Sequence, residues 1–285
     1  MAFRTLIDAE ALASRLGDPN MAVVDCRFRL EDPSWSERAY LEAHVPGAGY
    51  ADLDRDLSGT KNGRNGRHPL PDVATLAATL GGFGIGPGVQ VVAYDQDTGA
   101  FASRLWWLLR WLGHEDVAVL DGGFACWLAE QRPTREGLET PAPRVFVAHP
   151  RHEAMADAGT VTTVVSGQTP ARLVDARAPE RFRGDVEPLD RVAGHIPGAR
   201  NHFFKENLDP SGRFLPAEML RGRFESELQG TPSDAVIVYC GSGVTACHNL
   251  LAMEHAGLTG ARLYAGSWSE WSSEAERPIA KGEEP

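Results

Sequence analysis

The sequence predicts an α/β fold that occurs twice along the chain, each copy a parallel sheet flanked by helices. Short apolar runs with strand character alternate with segments of helical spacing, and this alternation is typical of parallel sheets covered on both faces. Four landmarks of the first half recur in the second half in the same order. The length of 285 residues is what two domains of ordinary size require.

The first copy is defined by apolar runs that turn residues interrupt. Their spacing predicts, in chain order, a helix over 8–16, a strand over 21–27, a helix over 73–80, a strand over 89–95, a helix over 101–112 and a strand over 117–120. In the helix over 101–112, the spacing of Trp106, Trp107 and Trp111 indicates a packed helix face. Its most apolar run, 105–112, is eight residues long and includes an arginine, so we expect a core helix and no membrane span.

The second copy repeats the first at nearly constant spacing. The pairs of segments are 23–27 with 173–177, 43–48 with 194–199, 91–95 with 236–240 and 119–123 with 263–267, at offsets of 150, 151, 145 and 144 residues. Such spacing indicates a duplicated domain. A proline-rich stretch without periodicity separates the copies. We therefore expect a first domain over 1–140, a linker over 141–150 and a second domain over 151–285.

The loop after the strand over 236–239 is the strongest candidate for chemistry. Cys240 stands at the end of this strand, residues 241–243 form a tight Gly-Ser-Gly turn, and helical spacing begins at Val244. A thiol at the N-terminus of a helix lies among backbone N–H donors, which favour the thiolate. The alternative is a buried core cysteine, but a core position does not require glycines on both sides of Ser242.

The first copy has Asp95 where the second has Cys240. Because a carboxylate cannot perform thiolate chemistry, at most one copy carries a cysteine-based reaction. A cysteine-dependent phosphatase uses a related loop that an arginine closes six residues after the cysteine, and here that residue is Ala246. A non-catalytic binding module is a further alternative, and the presence of Cys240 argues against it.

Composition restricts the partners and the compartment. The net charge of −11 argues against nucleic acid as a partner. The four cysteines are scattered and form no C-x-x-C pair, which favours a reducing compartment. The N-terminal residues lack the long apolar core of a signal peptide. We therefore expect a cytoplasmic protein that contacts no membrane.

These motifs resemble the tandem-domain rhodanese-type sulfurtransferases over nearly the whole chain. The resemblance rests on two copies of Asp-x-Arg and His-x-Pro-Gly-Ala, and on Cys-Gly-Ser-Gly-Val-Thr-Ala at 240–246, which is similar to the loop of the 3-mercaptopyruvate sulfurtransferases. It implies that Cys240 takes sulfur from a small anionic donor, becomes a persulfide, and passes the sulfur to a thiol, cyanide or thioredoxin-like acceptor. No cofactor and no metal are implied. Thiosulfate is the alternative donor.

The resemblance also implies roles for residues outside the loop. Asp54, His68 and Ser242 match a proton relay, which would protonate the enolate that leaves mercaptopyruvate. Arg181 matches an arginine that binds the substrate carboxylate. A second family arginine is displaced here to Arg191, and whether Arg191 replaces it stays open.

The remaining singled-out residues have a substrate-contacting or a structural interpretation. The backbone of Gly241, Gly243, Val244 and Thr245 is expected to contact the substrate. Basic residues crowd the segment 177–223, which favours small anions, although a solvated surface with salt bridges explains them as well. We expect structural roles for Asp25, Arg27, His44, Asp175, Arg177, His195 and Cys247. The physiological donor and acceptor do not follow from the sequence.

Overall fold

The computed structural model describes residues 2–283, which divide into two compact units. Unit 1 contains the residues up to Gly59, Pro71–Arg151 and Pro210–Phe214, and unit 2 contains Thr60–Leu70, His152–Asp209 and the residues from Leu215 onward. Segment 60–70, which the sequence-based limits assign to the first domain, therefore groups with unit 2. The limits 1–140 and 151–285 stay a prediction.

Unit 1 is built on a five-stranded parallel sheet in the order β1-β5-β4-β2-β3. Its elements are β1 Leu6–Ile7, α1 Ala9–Ala13, β2 Met21–Asp25, α2 Pro33–Glu42, β3 Ala48–Tyr50, α3 Val73–Gly82, β4 Gln90–Tyr94, α4 Ala102–Trp111, β5 Val117–Leu120 and α5 Gly123–Ala129.

Unit 2 repeats the arrangement with a second five-stranded parallel sheet in the order β6-β10-β9-β7-β8. Its elements are β6 Met155–Ala156, α6 Ala158–Val165, β7 Arg172–Asp175, α7 Pro179–Arg183, β8 Arg200–Asn201, α8 Ala217–Leu228, β9 Val236–Tyr239, α9 Thr245–His255, β10 Arg262–Tyr264 and α10 Ser267–Trp271, with 3-10 turns at His152–Ala154, Phe204–Asn207 and Ser233–Ala235. The predicted fold class is confirmed.

The central strands are the elements that the sequence predicts best. Strands β4 and β9 are buried along their whole length, as parallel strands covered on both faces must be. Helix α4 buries its three tryptophans, which confirms the packed face. Among the described residues, no helix has both the length and the apolar character needed to cross a bilayer.

Helix α2 was missed by the sequence analysis. It spans Pro33–Glu42 and buries Ser36, Ala39 and Tyr40 in an otherwise polar sequence, so its apolar periodicity is weak. The helix starts through local chemistry instead, because the Asp32 carboxylate accepts a hydrogen bond from the backbone N–H of Trp35 and a proline occupies the first turn.

The Asp-x-Arg motif joins the end of a strand to the His-x-Pro-Gly-Ala turn in unit 1. Arg27 Nη2 lies 2.6 Å from Asp25 Oδ2, and both side chains are buried. The same nitrogen donates to the carbonyl oxygen of Ala43 at 2.7 Å, directly before His44. Tyr94 of β4 donates its hydroxyl proton to Asp25 at 2.8 Å. The expected structural role of this ion pair is confirmed.

Unit 2 repeats this junction. Arg177 Nη2 lies 2.7 Å from Asp175 Oδ2 and donates to the carbonyl oxygen of Gly194 at 2.7 Å. His195, the next residue, is buried, and its Nδ1 lies 2.8 Å from the carbonyl oxygen of Phe182. The repeated motifs are therefore explained by the fold, and the chemistry must lie elsewhere.

We predict that Asp25→Ala lowers the free energy of unfolding by about 3–5 kcal/mol, because it leaves the Arg27 guanidinium buried without its carboxylate. Asp116→Ala removes the partly exposed pair with Arg4, whose atoms are 3.7 Å apart, and should cost about 0–1 kcal/mol. Urea unfolding of both variants measures the difference. Equal losses would contradict the structural role of the buried pair.

Candidate active site

Cys240 lies at the point where β9 gives way to the loop that leads into α9. The side chain is 2% exposed, and the backbone N–H of Gly243 donates to its Sγ at 3.2 Å. Gly243 has a φ of +77°, and an added Cβ would collide with the carbonyl oxygen of Ala265. Only glycine fits this position, because both the left-handed backbone and the close approach exclude a side chain. The predicted strand–turn–helix setting is confirmed.

The start of α10 holds this loop in place. Ser267 Oγ accepts a hydrogen bond from the backbone N–H of Cys240 at 3.1 Å and donates to the carbonyl oxygen of Tyr264 at 2.9 Å. The N–H groups of Trp268 and Ser269 donate to the carbonyl oxygens of Cys240 and Gly241 at 2.9 and 3.0 Å. Ser267 adopts a φ of +55°, a costly conformation that its two hydrogen bonds offset.

A histidine from outside this loop contacts a serine within it. His68 Nδ1 is 2.8 Å from Ser242 Oγ, and both side chains are buried. His68 belongs to segment 60–70, which is part of unit 2. Asp54 belongs to unit 1, where it is exposed and its backbone N–H donates to Asp52 at 2.9 Å. The role of Asp54 in a relay stays a prediction.

Two guanidinium groups converge on Gly241, the residue after Cys240. An added Cβ at Gly241 would lie 2.8 Å from Arg67 Nη2 and 3.5 Å from both terminal nitrogens of Arg181. The sequence predicted Arg181, but it missed Arg67. The only signal for Arg67 is its position beside His68, because nothing in a local pattern shows that a loop residue reaches a site about 170 residues later.

Buried carboxylates hold both arginines. Arg181 Nη2 lies 2.7 Å from Glu187 Oε1 and 3.4 Å from Asp190 Oδ2. Asp190 also forms an ion pair with Arg67 Nη1. Burial is the largest influence on Glu187 and would raise its pKa, but the hydrogen bonds from Arg181 and from the backbone N–H groups of Leu189 and Asp190, with the charge of Arg181, together lower that pKa below its ordinary value. The Glu187 and Asp190 side chains therefore orient the two arginines.

Arg191 lies outside this group. Its side chain is exposed, and it lines a cleft of about 670 Å³ together with Arg64, Arg67, Asp190 and Ser269. Within the loop, the predicted backbone contacts are placed as follows: Gly241, Gly243 and Val244 are buried, and Thr245 is the half-buried first residue of α9. The substrate-binding roles of Arg191 and of these loop residues stay predictions.

The equivalent loop of unit 1 encloses a carboxylate. Asp95 Oδ1 accepts hydrogen bonds from the backbone N–H groups of Asp97 and Gly99 at 3.3 and 2.8 Å. Its Oδ2 accepts from Phe101 and Ala102 at 2.8 and 3.3 Å. Complete burial outweighs these hydrogen bonds and raises the pKa of Asp95 to about 6. This loop therefore binds its own anion.

Cys247 lies at the start of α9. It is the third residue of this helix, within the first turn, and it is fully buried. Its thiol donates to the carbonyl oxygen of Gly243 at 3.3 Å. The expected core position is confirmed. Both cysteines are buried, but Cys247 donates to a carbonyl oxygen, whereas the sulfur of Cys240 accepts from a backbone N–H.

One cluster of metal-ligand type occurs among the described residues. Ligand atoms of His202, Glu206 and Glu227 lie within 4.8 Å of one another. His202 Nδ1 is 2.7 Å from both Glu227 oxygens, and its Nε2 is 2.8 Å from Asn207 Oδ1. Burial is the largest influence and would lower the pKa of His202, but the hydrogen bond and charge of Glu227, the hydrogen bond with Asn207 and the charge of Glu206 together raise it. Both ring nitrogens thus face acceptors, an arrangement that suits a protonated imidazole and not a metal ligand.

The two sheets with their strand-end loops define a duplicated rhodanese-like protein. The profile of the rhodanese-like domain matches residues 8–130 and 158–274, so the chain belongs to this family.

Similar proteins match this chain over nearly its whole length. The probable 3-mercaptopyruvate sulfurtransferase of Pseudomonas aeruginosa is 51% identical over 285 residues, which cover 99% of this chain and 100% of that protein. The putative thiosulfate sulfurtransferase SseB of Mycobacterium tuberculosis is 41% identical and covers 98% of both chains. The structure of 3-mercaptopyruvate sulfurtransferase from Leishmania major superposes with a TM-score of 0.83 at 31% identity, covering 97% of this chain and 76% of that one. The resemblance found in the sequence is confirmed.

We predict that the Asp95 carboxyl carbon titrates near pH 6 in carbon-13 NMR spectra, far above its ordinary value of 3.8. The exposed carboxyl of Asp72, whose pKa the backbone N–H of Thr75 lowers, serves as the control and should titrate below 3.8. Between pH 3.8 and about 6, the folded state keeps a proton that the unfolded chain has lost. The contribution of Asp95 to stability therefore falls as the pH rises through this window. A midpoint at or below 4 for Asp95 would contradict the buried, desolvated carboxyl.

Proposed function

We propose that this chain transfers a sulfane sulfur from 3-mercaptopyruvate to a thiol or cyanide acceptor through a persulfide on Cys240. The class of reaction is supported by relatives of 34–51% identity that are named sulfurtransferases. The choice of donor rests on one observation, the 2.8 Å contact between His68 and Ser242 beside the nucleophile. A hydroxyl and an imidazole at this place can deliver a proton to a carbon leaving group.

The first half-reaction needs such a proton. The Cys240 thiolate attacks the sulfur of mercaptopyruvate, the sulfur–carbon bond breaks, and the pyruvate enolate leaves with the bonding electrons. The enolate carbon takes up one proton and the donor thiol loses one, so the number of protons balances. The products are pyruvate and an anionic persulfide, so neither an oxidant nor a reductant is required. Ser242 and His68 are the proposed path for that proton.

The loop amides suit the persulfide as well as the thiolate. The outer sulfur of a Cys240 persulfide stands three bonds from its Cα, as the carboxylate oxygens of Asp95 do in unit 1. Those oxygens accept four backbone N–H groups at 2.8–3.3 Å. By this analogy, we expect the backbone of the 240–246 loop to stabilise the anionic outer sulfur. In the second half-reaction, the acceptor takes that sulfur and the Cys240 thiolate returns.

Arg181 is the proposed partner of the donor carboxylate. Its guanidinium forms an ion pair with Glu187, and its terminal nitrogens lie 3.5 Å from the Cβ position of Gly241. A planar guanidinium binds a carboxylate in a bidentate manner, which orients the donor sulfur toward Cys240.

Thiosulfate is a second candidate donor, because the relative from Mycobacterium tuberculosis, 41% identical, is named a putative thiosulfate sulfurtransferase. In that reaction sulfite leaves as an anion and needs no proton, so the His68–Ser242 contact would have no role. A thioredoxin-like protein as the acceptor and a cytoplasmic location stay proposals, both drawn from the sequence.

We predict that Cys240→Ser reduces turnover to background with either donor, and that incubation with mercaptopyruvate adds the mass of one sulfur atom to the Cys240 peptide of the unchanged protein. Cys247→Ser is the matched control, because its hydroxyl still donates to the carbonyl oxygen of Gly243, and it should keep both properties. Mass spectrometry of the digested protein measures the adduct. Full turnover of Cys240→Ser would refute the persulfide mechanism, whereas the absence of both turnover and adduct in the unchanged protein would favour a binding module.

We predict that Ser242→Ala and His68→Gln lower kcat for mercaptopyruvate about 100-fold or more, which is the usual contribution of a positioned proton donor. The KM should change little, because neither side chain is proposed to bind the carboxylate. With thiosulfate, the same variants should lose less than about fivefold, since sulfite leaves without a proton. Steady-state rates with both donors test this, and equal losses would remove the reason for preferring mercaptopyruvate.

A further inference from the structure

Arg67 lies closer to the Cβ position of Gly241 than Arg181 does. The proposed mechanism gives Arg67 no role. We infer that Arg67 and Arg181 together form a two-guanidinium subsite for a carboxylate group of the donor, and that Arg191 does not take part in it. The inference rests on the proposed function, because it names the groups that would recognise the donor. It concerns recognition only and assigns Arg67 no part in bond breaking.

The geometry places both guanidinium groups beside the same backbone position, the point where a Cβ on Gly241 would lie. Arg67 Nη2 and both terminal nitrogens of Arg181 lie 2.8–3.5 Å from the Cβ position of Gly241. A side chain at this position would occupy the space between the two groups. Glycine therefore leaves room for a small ligand atom at the residue that follows the nucleophile.

The two arginines are held at a defined separation. Asp190 forms ion pairs with both, through Arg67 Nη1 and Arg181 Nη2, and its side chain is 6% exposed. Arg67 is fixed further by its backbone N–H, which donates to Ser269 Oγ at 3.1 Å. Arginines that buried carboxylates orient lose little side-chain freedom when a ligand binds, so the subsite is preorganised.

Arg67 and Arg191 also differ in their surroundings. Both line the same cleft, but Arg67 Nη2 lies 2.8 Å from the Cβ position of Gly241, whereas Arg191 is exposed. Asp190, the residue directly before Arg191, pairs with Arg67 from segment 60–70. The second cation at the loop is thus supplied by segment 60–70 and not by segment 187–191.

A purely structural role for Arg67, as a partner of Asp190, makes a different prediction from a role in recognition. If Arg67 is only structural, its replacement changes the rate at which Cys240 reacts with every reagent. If Arg67 recognises a carboxylate, its replacement changes only the preference of Cys240 for a reagent that carries a carboxylate. Iodoacetate and iodoacetamide form this matched pair, because both alkylate a thiolate with release of iodide and only iodoacetate is an anion.

The experiment measures both alkylation rates of Cys240 by peptide mass spectrometry, on the full chain. Arg67→Gln should lower the ratio of the iodoacetate rate to the iodoacetamide rate at least about tenfold, the loss expected for one charge-assisted hydrogen bond. Arg181→Gln should lower it similarly. Arg191→Gln and the cleft control Arg64→Gln should leave the ratio within about twofold. An unchanged ratio in Arg67→Gln, or an equal fall in Arg191→Gln, would overturn the inference.

Two features make the test independent of the folding of one variant and of the proposed function. If Arg67→Gln fails to fold, as judged by circular dichroism, Arg67→Lys takes its place. It keeps the charge but lacks the planar fork, and a fall in the ratio of about threefold or more is expected. The alkylation needs no sulfur donor. A lowered ratio in a protein that does not turn over mercaptopyruvate would therefore refute the proposed function alone, whereas an unchanged ratio with normal turnover would refute the role of Arg67 alone.

Discussion

Backbone N–H groups converge on the residue that follows a central parallel strand, and they need hydrogen-bond acceptors. The two units supply different acceptors. In unit 1, the Asp95 carboxylate accepts four of them and the loop is satisfied by its own side chain. In unit 2 the first loop residue is Cys240, whose sulfur accepts the N–H of Gly243. A sulfur atom is a weaker acceptor than a carboxylate, so this loop keeps capacity for further negative charge. The two loops thus differ in the acceptor at their first position, which is a carboxylate in unit 1 and a sulfur in unit 2.

The charges beside the loop alternate and largely compensate one another. Arg177, Glu187, Arg181, Asp190 and Arg67 form a continuous series of ion pairs. Under the proposed function, a donor carboxylate would meet oriented donors and not a large excess of positive charge. The selectivity would then come from geometry, and Glu187 and Asp190 would compete with the ligand, which would limit how tightly a product carboxylate is held.

Sequence patterns predicted those parts that depend on local regularity. Strand β9 was located to the residue because four consecutive β-formers are buried on both faces. Helix α2 was missed because a proline and an N-cap start it without a clear apolar stripe. In the candidate site, Cys240 was singled out through its strand–turn–helix setting and Ser242 through the family resemblance. Arg67 was not singled out, because it approaches the loop from a distant segment of the chain and no local pattern encodes that approach.

The placement of segment 60–70 has a consequence for how this architecture can evolve. His68 and Arg67 are encoded in the first half of a duplicated chain, yet they belong to the unit that carries Cys240. A gene fragment that begins at residue 151 would encode the nucleophile without either side chain. If the proposed relay operates, the half that carries Cys240 needs side chains that the other half of the chain encodes. An exchange of the first half alone would then preserve the reaction only where the incoming half also supplies these side chains.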